Sequence, residues 1–456
     1  MAQTEISRRK FIKSAAIAAA APALVQIVPR NVLGGPRENP PSEKLNIAGI
    51  GLGGRGFGLL QSFASDHNIV AICDVDENTL GSAAKLWPNA KRYTDFRKMF
   101  DSQKDIDAVT VATPDHLHFT IAMWAIRNGK HVYCEKPLAH TIAETRALAK
   151  AAAESRVATQ MGNQGNAGEG VRIMQEWIED GAIGPVREVH AWTNKPVWPQ
   201  GIERPTETPP VPAGLDWDLW LGPAPQRPYN PCYLPFKWRG WWDFGSCVIG
   251  DMACHVLNNP WRALSLGQPT SVEAYPSRCT TETGPLASII YFEFPARGQM
   301  PPVKITWYDG GIMPLRPVEL EDSRRMGDNE GCMFIGDNGK MVCSCYGDSP
   351  RIIPEARMKE YKRPAKRIPR SPGHGKEWID ACKGGPKAGS HFEHAALLTE
   401  FIQLGNVAIR WSAMRHADGI NGIPVKLLWN AQAGKITNVP EANRFLQTEY
   451  RKGWEI

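Results

Sequence analysis

The sequence predicts an α/β fold in two parts: a doubly wound parallel sheet of the Rossmann type, then an α+β domain with an open, mostly antiparallel sheet. Two observations predict the first part, namely the alternation of short buried strands with helical segments and a glycine-rich turn after the first strand. Runs with β character replace this alternation beyond about residue 161 and predict the second part. A length of 456 residues agrees with two domains.

The elements of the first part follow one another at short intervals. The predicted strands cover 45–50, 69–73, 107–112 and 131–135, and the predicted helices run to about 64 and over 77–87 and 116–128. A further helix begins after Thr141, because Thr141 and Glu144 have the spacing of a capping box. The parallel-sheet domain is therefore predicted for 44–162.

The second part, 163–456, contains an unusually proline-rich stretch near its beginning. Eleven prolines between 194 and 245 predict a long loop, and the many tryptophans there argue against disorder. Strands are predicted at 186–192, 288–294 and 303–308, a hairpin joins 332–335 to 340–345 across Asp337-Asn338-Gly339, and a long helix covers 392–411.

The first 30 residues have the pattern of a twin-arginine export signal, because Arg8 and Arg9 precede a run of alanines and other small residues. The alternative is a basic amphipathic helix; a linker follows over 31–43. We expect a periplasmic protein without a membrane span, since no apolar stretch reaches about 18 residues. Half of the formal charge of +6 lies in the first 23 residues, so no nucleic-acid partner is expected.

The ten cysteines are scattered and include no CxxC pair, so no metal site is predicted. Cys343 and Cys345 share one face of a predicted strand and are ill-suited to bridge each other. Buried thiols are the simpler interpretation, although an oxidising compartment would permit a disulfide.

The glycine turn satisfies GxGxxG as Gly51-x-Gly53-x-x-Gly56, which leaves a complete strand before it; a second match begins at Gly49. Such glycines let backbone amides and a helix N-terminus approach a pyrophosphate. Asp74 ends the next strand, where a carboxylate accepts hydrogen bonds from an adenosine ribose and repels a 2′-phosphate, which favours NAD over NADP. The alternative for Asp74 is a helix N-cap, and both roles are compatible.

Glu135-Lys136-Pro137 stands at the carboxyl end of a predicted parallel strand, where open α/β sheets bind ligands. The proline keeps Lys136 out of helical geometry, so its ammonium can project toward a substrate hydroxyl. A solvated loop lysine is the alternative.

Half of the sixteen tryptophans fall between 192 and 261, interleaved with charged residues. Indole faces suit the apolar faces of sugar rings, so we expect Arg239 and Trp242 nearest to the ligand, with Asn163 and Gln164 as further substrate-binding candidates. The alternative is that the tryptophans anchor the proline-rich loop. We expect both roles.

Together these motifs resemble the Gfo/Idh/MocA oxidoreductases, named for glucose-fructose oxidoreductase and inositol dehydrogenase. The resemblance rests on the glycine turn, Asp74, Thr113-Pro114-Asp115-His116-Leu117-His118, Glu135-Lys136-Pro137 and Gly250-Asp251-Met252-Ala253-Cys254-His255. It covers about 44–262 and continues to Arg451-Lys452-Gly453-Trp454. It implies a tightly held NAD, a sugar or polyol between the two domains, and a homo-oligomer, dimer or tetramer, that pairs through the open sheet face.

The resemblance also implies catalytic roles for Lys136, Asp251 and His255. Asp251 and His255 stand four apart in a predicted helix, so the carboxylate is expected to orient the imidazole and stabilise its protonated form. Cofactor contacts are expected from Gly51, Gly53, Gly54, Arg55, Gly56, Asp74, Thr113, Pro114, His118, Glu135 and Lys136.

Three functions agree with this pattern. The first is an exported NAD-dependent sugar oxidoreductase. The second is an NAD-dependent glycoside hydrolase that oxidises the sugar, eliminates the aglycone, adds water and reduces the product again; a periplasm without a route for recycling NADH favours such a redox-neutral cycle. The third is a sugar-binding protein without catalysis, which the presence of both Lys136 and His255 disfavours.

Overall fold

Six parallel strands form the first sheet. The computed structural model describes residues 43–327, 329–417 and 425–456, and for 415–417 it describes the backbone alone. The predicted export signal and nearly all of the linker lie outside the described residues. The strands are β1 (Asn46–Ile50), β2 (Asn68–Cys73), β3 (Lys91–Tyr93), β4 (Ala108–Val111), β5 (His131–Cys134) and β6 (Thr159–Met161). Their order, β3-β2-β1-β4-β5-β6, is that of a doubly wound nucleotide-binding sheet.

Helices connect these strands, as the alternation in the sequence predicts. They are α1 (Arg55–Ala64), α2 (Glu77–Leu86), α3 (Phe96–Ser102), α4 (Asp115–Arg127) and α5 (Ile142–Glu154). The central strand β4 is buried along its whole length, and its residues are accordingly apolar except for Thr110. Both hydrogen bonds of the capping box between Thr141 and Glu144 are present at the start of α5.

The second sheet has nine strands among the described residues. They are β7 (Val186–Thr193), β8 (Ser271–Pro276), β9 (Ser288–Phe294), β10 (Val303–Tyr308), β11 (Glu330–Gly336), β12 (Gly339–Ser344), β13 (Arg351–Ile353), β14 (Leu427–Asn430) and β15 (Lys435–Ile436). Neighbouring strands are antiparallel except β7 and β10. The predicted hairpin is present with a turn shorter by one residue, because Gly339 already pairs with Gly336.

The helices of the second part are α6 (Glu169–Glu179), α7 (Trp217–Leu221), α8 (Cys247–Val256), α9 (Asn258–Ala263), α10 (Glu355–Glu360), α11 (His374–Cys382) and α12 (Phe392–Ala417). In the described parts of the chain, none of the helices combines the length and the apolar character that a membrane crossing requires.

Helix α12 packs on both sheets. On the parallel-sheet side its Glu400 forms a two-pronged ion pair with Arg146 of α5, with nitrogen–oxygen distances of 2.6 and 2.7 Å. On the other side the ring of Phe401 packs against Phe292 and Phe294 of β9, with ring centroids 4.7 and 5.1 Å apart. Residues Leu45–Ile456 accordingly form one compact unit.

The proline-rich stretch 194–245 is irregular apart from α7, one 3₁₀ turn at Lys237–Gly240 and isolated bridges. Its aromatic residues form a core of their own, because Trp217, Trp220, Tyr233 and Phe244 pack on one another with Trp241. The expected anchoring role of the tryptophans is therefore present.

Candidate active site

A cavity of about 750 Å³ lies where the turns after β1, β2, β4 and β5 meet the 194–245 loop and α8. Many residues singled out in the sequence line it together: Gly51, Gly53, Gly54, Arg55, Asp74, Thr113, Pro114, His118, Glu135, Lys136, Gln164, Arg239, Asp251 and His255. The carboxyl ends of the parallel strands thus meet the second part of the chain at one site.

Three of the predicted residues do not line this cavity. Gly56 lies in the first turn of α1, where it provides close packing. The side chain of Asn163 is buried and accepts a hydrogen bond from Ser390 Oγ at 2.6 Å. The indole N–H of Trp242 donates to the backbone oxygen of Thr280, and this ring packs beside α12 and not on the cavity wall.

The glycine turn after β1 has the conformation that the preferred spacing predicts. Gly51 has a φ of +77°, and a Cβ there would lie 2.8 Å from the backbone of Ala112. A Cβ on Gly53 would meet nothing within 4 Å, which leaves open space before the N-terminus of α1. A Cβ on Gly56 would lie 1.9 Å from the carbonyl oxygen of Gly51. Gly51 thus permits the turn, Gly53 leaves room for a ligand to approach the backbone, and Gly56 permits close packing of α1.

Gly56→Ala is expected to destabilise the protein, because the added methyl group overlaps the Gly51 carbonyl and must push α1 away from β1. We expect the free energy of unfolding to fall by about 2 kcal/mol or more. Gly58→Ala is the matched control, since this glycine of the same helix has open space around it and alanine favours a helix. Thermal unfolding of both variants checks the prediction; equal melting temperatures would contradict it.

Asp74 lies at the end of β2 with its carboxylate on the cavity wall. Its Oδ2 accepts the backbone N–H of Leu52 at 2.7 Å, and its Oδ1 accepts that of Asp76 at 3.0 Å. Burial raises the pKa of this carboxyl, while the two hydrogen bonds act in the opposite direction. The N-cap of α2 is Asp76 and not Asp74. Asp74 instead binds backbone N–H groups of the neighbouring turns and lines the cavity.

The start of α4 holds the second part of the chain against the parallel sheet. Asp115 accepts the backbone N–H of Ser246, the residue before α8, at 2.9 Å. The ring nitrogens of His116 lie 3.2 and 3.0 Å from the carbonyl oxygens of Phe244 and Trp220. These contacts fix the position of α8, which carries Asp251.

Lys136, Asp251 and Arg239 form a cluster of three charges on the cavity wall. Lys136 Nζ donates to Asp251 Oδ1 at 2.7 Å and to its backbone oxygen at 2.8 Å, and Arg239 Nε donates to the same Oδ1 at 3.1 Å. Burial acts to raise the pKa of Asp251, but the two cations outweigh it and hold the value at about 2. Burial likewise opposes the charge of Lys136, and Asp251 outweighs it, so the pKa of Lys136 is raised.

Both partners are therefore charged at neutral pH. An ammonium has three N–H donors, and Asp251 takes two of those of Lys136. The third is available to an oxygen atom of a ligand in the cavity.

His255 follows Asp251 by one helical turn in α8. Burial, and next the ammonium of Lys136, lower its pKa to about 3, against a smaller opposite effect of Asp251. Asp251 thus acts in the expected direction, toward a protonated imidazole, but burial and the Lys136 ammonium outweigh it and the ring remains neutral. Nδ1 of His255 is buried without a hydrogen-bond partner among the described residues. A neutral imidazole in this position can accept a proton.

Several cavity-lining residues were included in the sequence reasoning only as members of a cluster or motif, namely Trp198, Trp220, Trp238 and Trp454, and two were not included at all, namely Phe236 and Tyr346. Three of these tryptophans belong to the cluster between 192 and 261. The cluster indicated that tryptophans lie near the ligand, but it did not indicate which of them line the cavity. Tyr346 packs against His255, with ring centroids 4.9 Å apart, and no local pattern around it indicates this contact.

Two sequence models of one oxidoreductase family match the chain. The model described as an NAD-binding Rossmann fold matches residues 44–163, and the model described as a C-terminal alpha/beta domain matches residues 172–273. The two matched segments contribute the glycine turn, Lys136, Asp251 and His255.

Similar proteins include dehydrogenases and glycosyl hydrolases. Levoglucosan dehydrogenase of Pseudarthrobacter phenanthrenivorans is 33% identical over 115 residues, which are 25% of this chain and 29% of that protein. A glycosyl hydrolase family 109 protein of Shewanella pealeana is 26% identical over 201 residues, 40% of this chain and 44% of that protein. The matches thus span less than half the length of these relatives.

Among solved structures, the WlbA dehydrogenase of Bordetella pertussis in complex with NADH and UDP-GlcNAcA has the same fold. It aligns with 85% of this chain and 99% of its own, with a TM-score of 0.57 and 18% identity. From the two family models and the two sheets joined around one cavity, we conclude that the chain belongs to the Gfo/Idh/MocA family of oxidoreductases.

Proposed function

We propose that this chain is an NAD-dependent oxidoreductase that transfers hydride between a carbinol carbon of a sugar or sugar derivative and a tightly held nicotinamide cofactor. The observation that carries the proposal is that Lys136, Asp251 and His255 face the same cavity as the glycine turn and Asp74. The similarity to a sugar dehydrogenase supports the class of substrate.

The residues at the glycine turn fit a dinucleotide. Open space at Gly53 and Gly54 adjoins the N-terminus of α1, where backbone amides favour a pyrophosphate. Asp74 presents a carboxylate at the end of β2 for the ribose hydroxyls. When bound, the nicotinamide ring supplies the hydride acceptor.

The protein side chains handle the proton. In the direction of oxidation the substrate loses a hydride from carbon and a proton from the hydroxyl on the same carbon, and a ketone forms. His255, neutral and on the cavity wall, accepts the hydroxyl proton. Lys136 donates a hydrogen bond to the oxygen on which negative charge develops, and Asp251 keeps that ammonium charged and oriented.

Asp74→Ala is expected to lower the preference for NAD over NADP by about tenfold, because it removes the carboxylate that repels a 2′-phosphate. Dissociation constants for NADH and NADPH, measured by titration, check the prediction. Asp76→Asn is the control, since asparagine also caps a helix and the charge of Asp74 remains. An unchanged ratio in Asp74→Ala would show that this carboxylate does not select the cofactor.

A second candidate function is a redox-neutral glycoside hydrolase, which the similarity to the glycosyl hydrolase family 109 protein favours. Here His255 and Lys136 serve the same transient oxidation. A ketone beside a C–H group acidifies that hydrogen, so the aglycone can leave by elimination, water adds, and the ketone is reduced again. No net NADH is formed in this cycle.

Proton NMR in heavy water, with added NAD and a panel of free sugars and simple glycosides, tests both functions. A ketosugar that appears in step with NADH would establish the oxidoreductase. Free sugar released from a glycoside, with deuterium beside the transiently oxidised carbon and no net NADH, would establish the hydrolase. If no sugar or glycoside in the panel changes and none exchanges hydrogen for deuterium, the proposal is overturned for that panel.

Export to the periplasm and a homo-oligomer are also part of the proposal. Export is supported by the arginine pair of the first 30 residues, and self-association by the family resemblance. Cell fractionation of the full chain beside an Arg8→Lys, Arg9→Lys variant, and light scattering of the purified protein, test the two points separately.

A further inference from the structure

The segment 450–454 lies at one end of the cavity, where Trp454 forms part of the wall. We infer that this segment closes the adenosine half of the cofactor site, with the Trp454 ring as the apolar wall against the adenine base. The inference rests on the proposed function, because it assumes that the cavity binds an adenine dinucleotide.

The neighbours of Trp454 place it at the Asp74 end of the cavity. Its ring lies near that of Phe96, the first residue of α3, with centroids 6.2 Å apart. The guanidinium of Arg97 lies over the Trp454 ring at 4.3 Å. Strand β3, which leads into α3, is bound to the end of β2, because the backbone N–H of Asp74 donates to Tyr93 at 3.1 Å. In a doubly wound sheet the adenosine half of a dinucleotide lies at this end of β2.

Several contacts hold the segment in place. The Arg451 guanidinium donates to the backbone oxygen of Gly222 at 3.0 Å, to Gln226 at 2.7 Å, and to the side chain of Asp218. Before it, Tyr450 donates its hydroxyl hydrogen to Glu144 at 2.7 Å. The segment is therefore fastened to both parts of the chain before it reaches the cavity.

A tight turn then directs Trp454 inward. Gly453 has a φ of +86°, in the left-handed region that favours glycine, and the backbone N–H of Trp454 donates to Arg451 at 3.0 Å. The motif Arg451-Lys452-Gly453-Trp454 thus combines an anchor, a turn and an inserted aromatic ring. Trp454 is 6% exposed, so the ring presents a limited surface to the cavity.

Adenine is a flat aromatic base, and aromatic side chains contribute to the binding of bases largely without hydrogen bonds. The simpler alternative is that Trp454 fastens the segment to α3 and does not contact the cofactor. The two interpretations differ in whether the affinity for the adenosine half of the cofactor falls when the ring is removed.

The test uses Trp454→Ala and Trp454→Phe in the full chain, with adenosine monophosphate, nicotinamide mononucleotide and NAD as probes in calorimetric titrations. We expect Trp454→Ala to weaken the binding of adenosine monophosphate and NAD by about tenfold and to leave nicotinamide mononucleotide unchanged. Trp454→Phe retains a ring and should weaken adenosine monophosphate less. Trp411→Ala, which removes a partly buried tryptophan of α12 that does not line the cavity, is the control and should leave the affinity for adenosine monophosphate within about twofold.

A second measurement does not depend on the folding of the alanine variant. With ¹⁵N-labelled tryptophan, the indole signal of Trp454 is assigned by its loss in Trp454→Phe. We expect adenosine monophosphate to shift this signal in the wild-type chain and nicotinamide mononucleotide to leave it in place.

The outcomes separate this inference from the proposed function. If wild type binds NAD and adenosine monophosphate, but Trp454→Ala binds them equally well or the indole signal does not move, the role of Trp454 is overturned and the proposed function stands. If wild type binds neither compound, both are overturned.

Discussion

Lys136→Met is expected to lower kcat by about a hundredfold or more, with the affinity for NADH little changed. The substitution keeps the length and apolar stem of the side chain and removes the N–H donor that faces the developing negative charge. Asp251 keeps Arg239 as a partner, so we expect a folded protein with a lower melting temperature. Sugar-dependent formation of NADH, measured with the substrate that the NMR panel identifies, gives kcat directly.

Lys195→Met is the matched control for this variant. Lys195 lines the same cavity, but its ammonium is paired with Glu330 at 3.3 Å, whereas Asp251 is paired with Lys136 and Arg239. We expect a change of less than about tenfold, since such a partly exposed pair contributes little energy. Equal losses in the two variants would indicate that general positive charge, and not the position of Lys136, supports the reaction.

His255→Asn is expected to lower kcat by about a hundredfold to ten-thousandfold, because asparagine cannot accept the hydroxyl proton. His190→Asn is the control, since His190 lies in β7 beside Tyr308 and does not line the cavity. Single-turnover formation of NADH separates the loss of chemistry from a loss of binding. A His255→Asn enzyme with more than a tenth of wild-type activity would remove His255 from the role of base.

The dependence of kcat/KM on pH gives a second check on His255. A base is active in its unprotonated form, so activity falls as the pH drops through the pKa of the base. Because burial and the Lys136 ammonium lower the pKa of His255 to about 3, the acidic limb should lie below about pH 5 and not near 6.5. Lys136→Met removes one of these two causes, and its residual activity should therefore show an acidic limb at higher pH.

The fold was predictable wherever one physical pattern dominated. Buried parallel strands appear in the sequence as apolar runs, and the helices between them show apolar residues at helical spacing. Both predicted sheets are present. The short β3 and α3 were missed, because the three residues of β3 are exposed or half-buried and show no apolar pattern. The cofactor and catalytic motifs were readable for a similar reason, since glycine spacing and strand-end residues constrain the local backbone.

The rest of the site depends on contacts between distant segments. Trp242 and Trp238 belong to the same tryptophan-rich stretch, and only the tertiary packing sets one beside α12 and the other on the cavity wall. Trp454 meets Phe96 across more than three hundred residues of sequence. The lowered pKa of His255 likewise follows from its burial and from the nearby Lys136 ammonium, and spacing within a helix specifies neither.

The long helix α12 has a consequence for protein engineering. Its Gln403 side chain donates to the backbone oxygen of Ala139 at 3.1 Å, on the parallel-sheet side, and to Ser246 Oγ at 3.0 Å, on the other. An excised nucleotide-binding half would leave α5 without the cover of α12 and would expose apolar surface to water. Separate family models match the two sequence domains, but the domains are not expected to be portable as modules. Any chimaera should therefore carry α12 together with the parallel sheet.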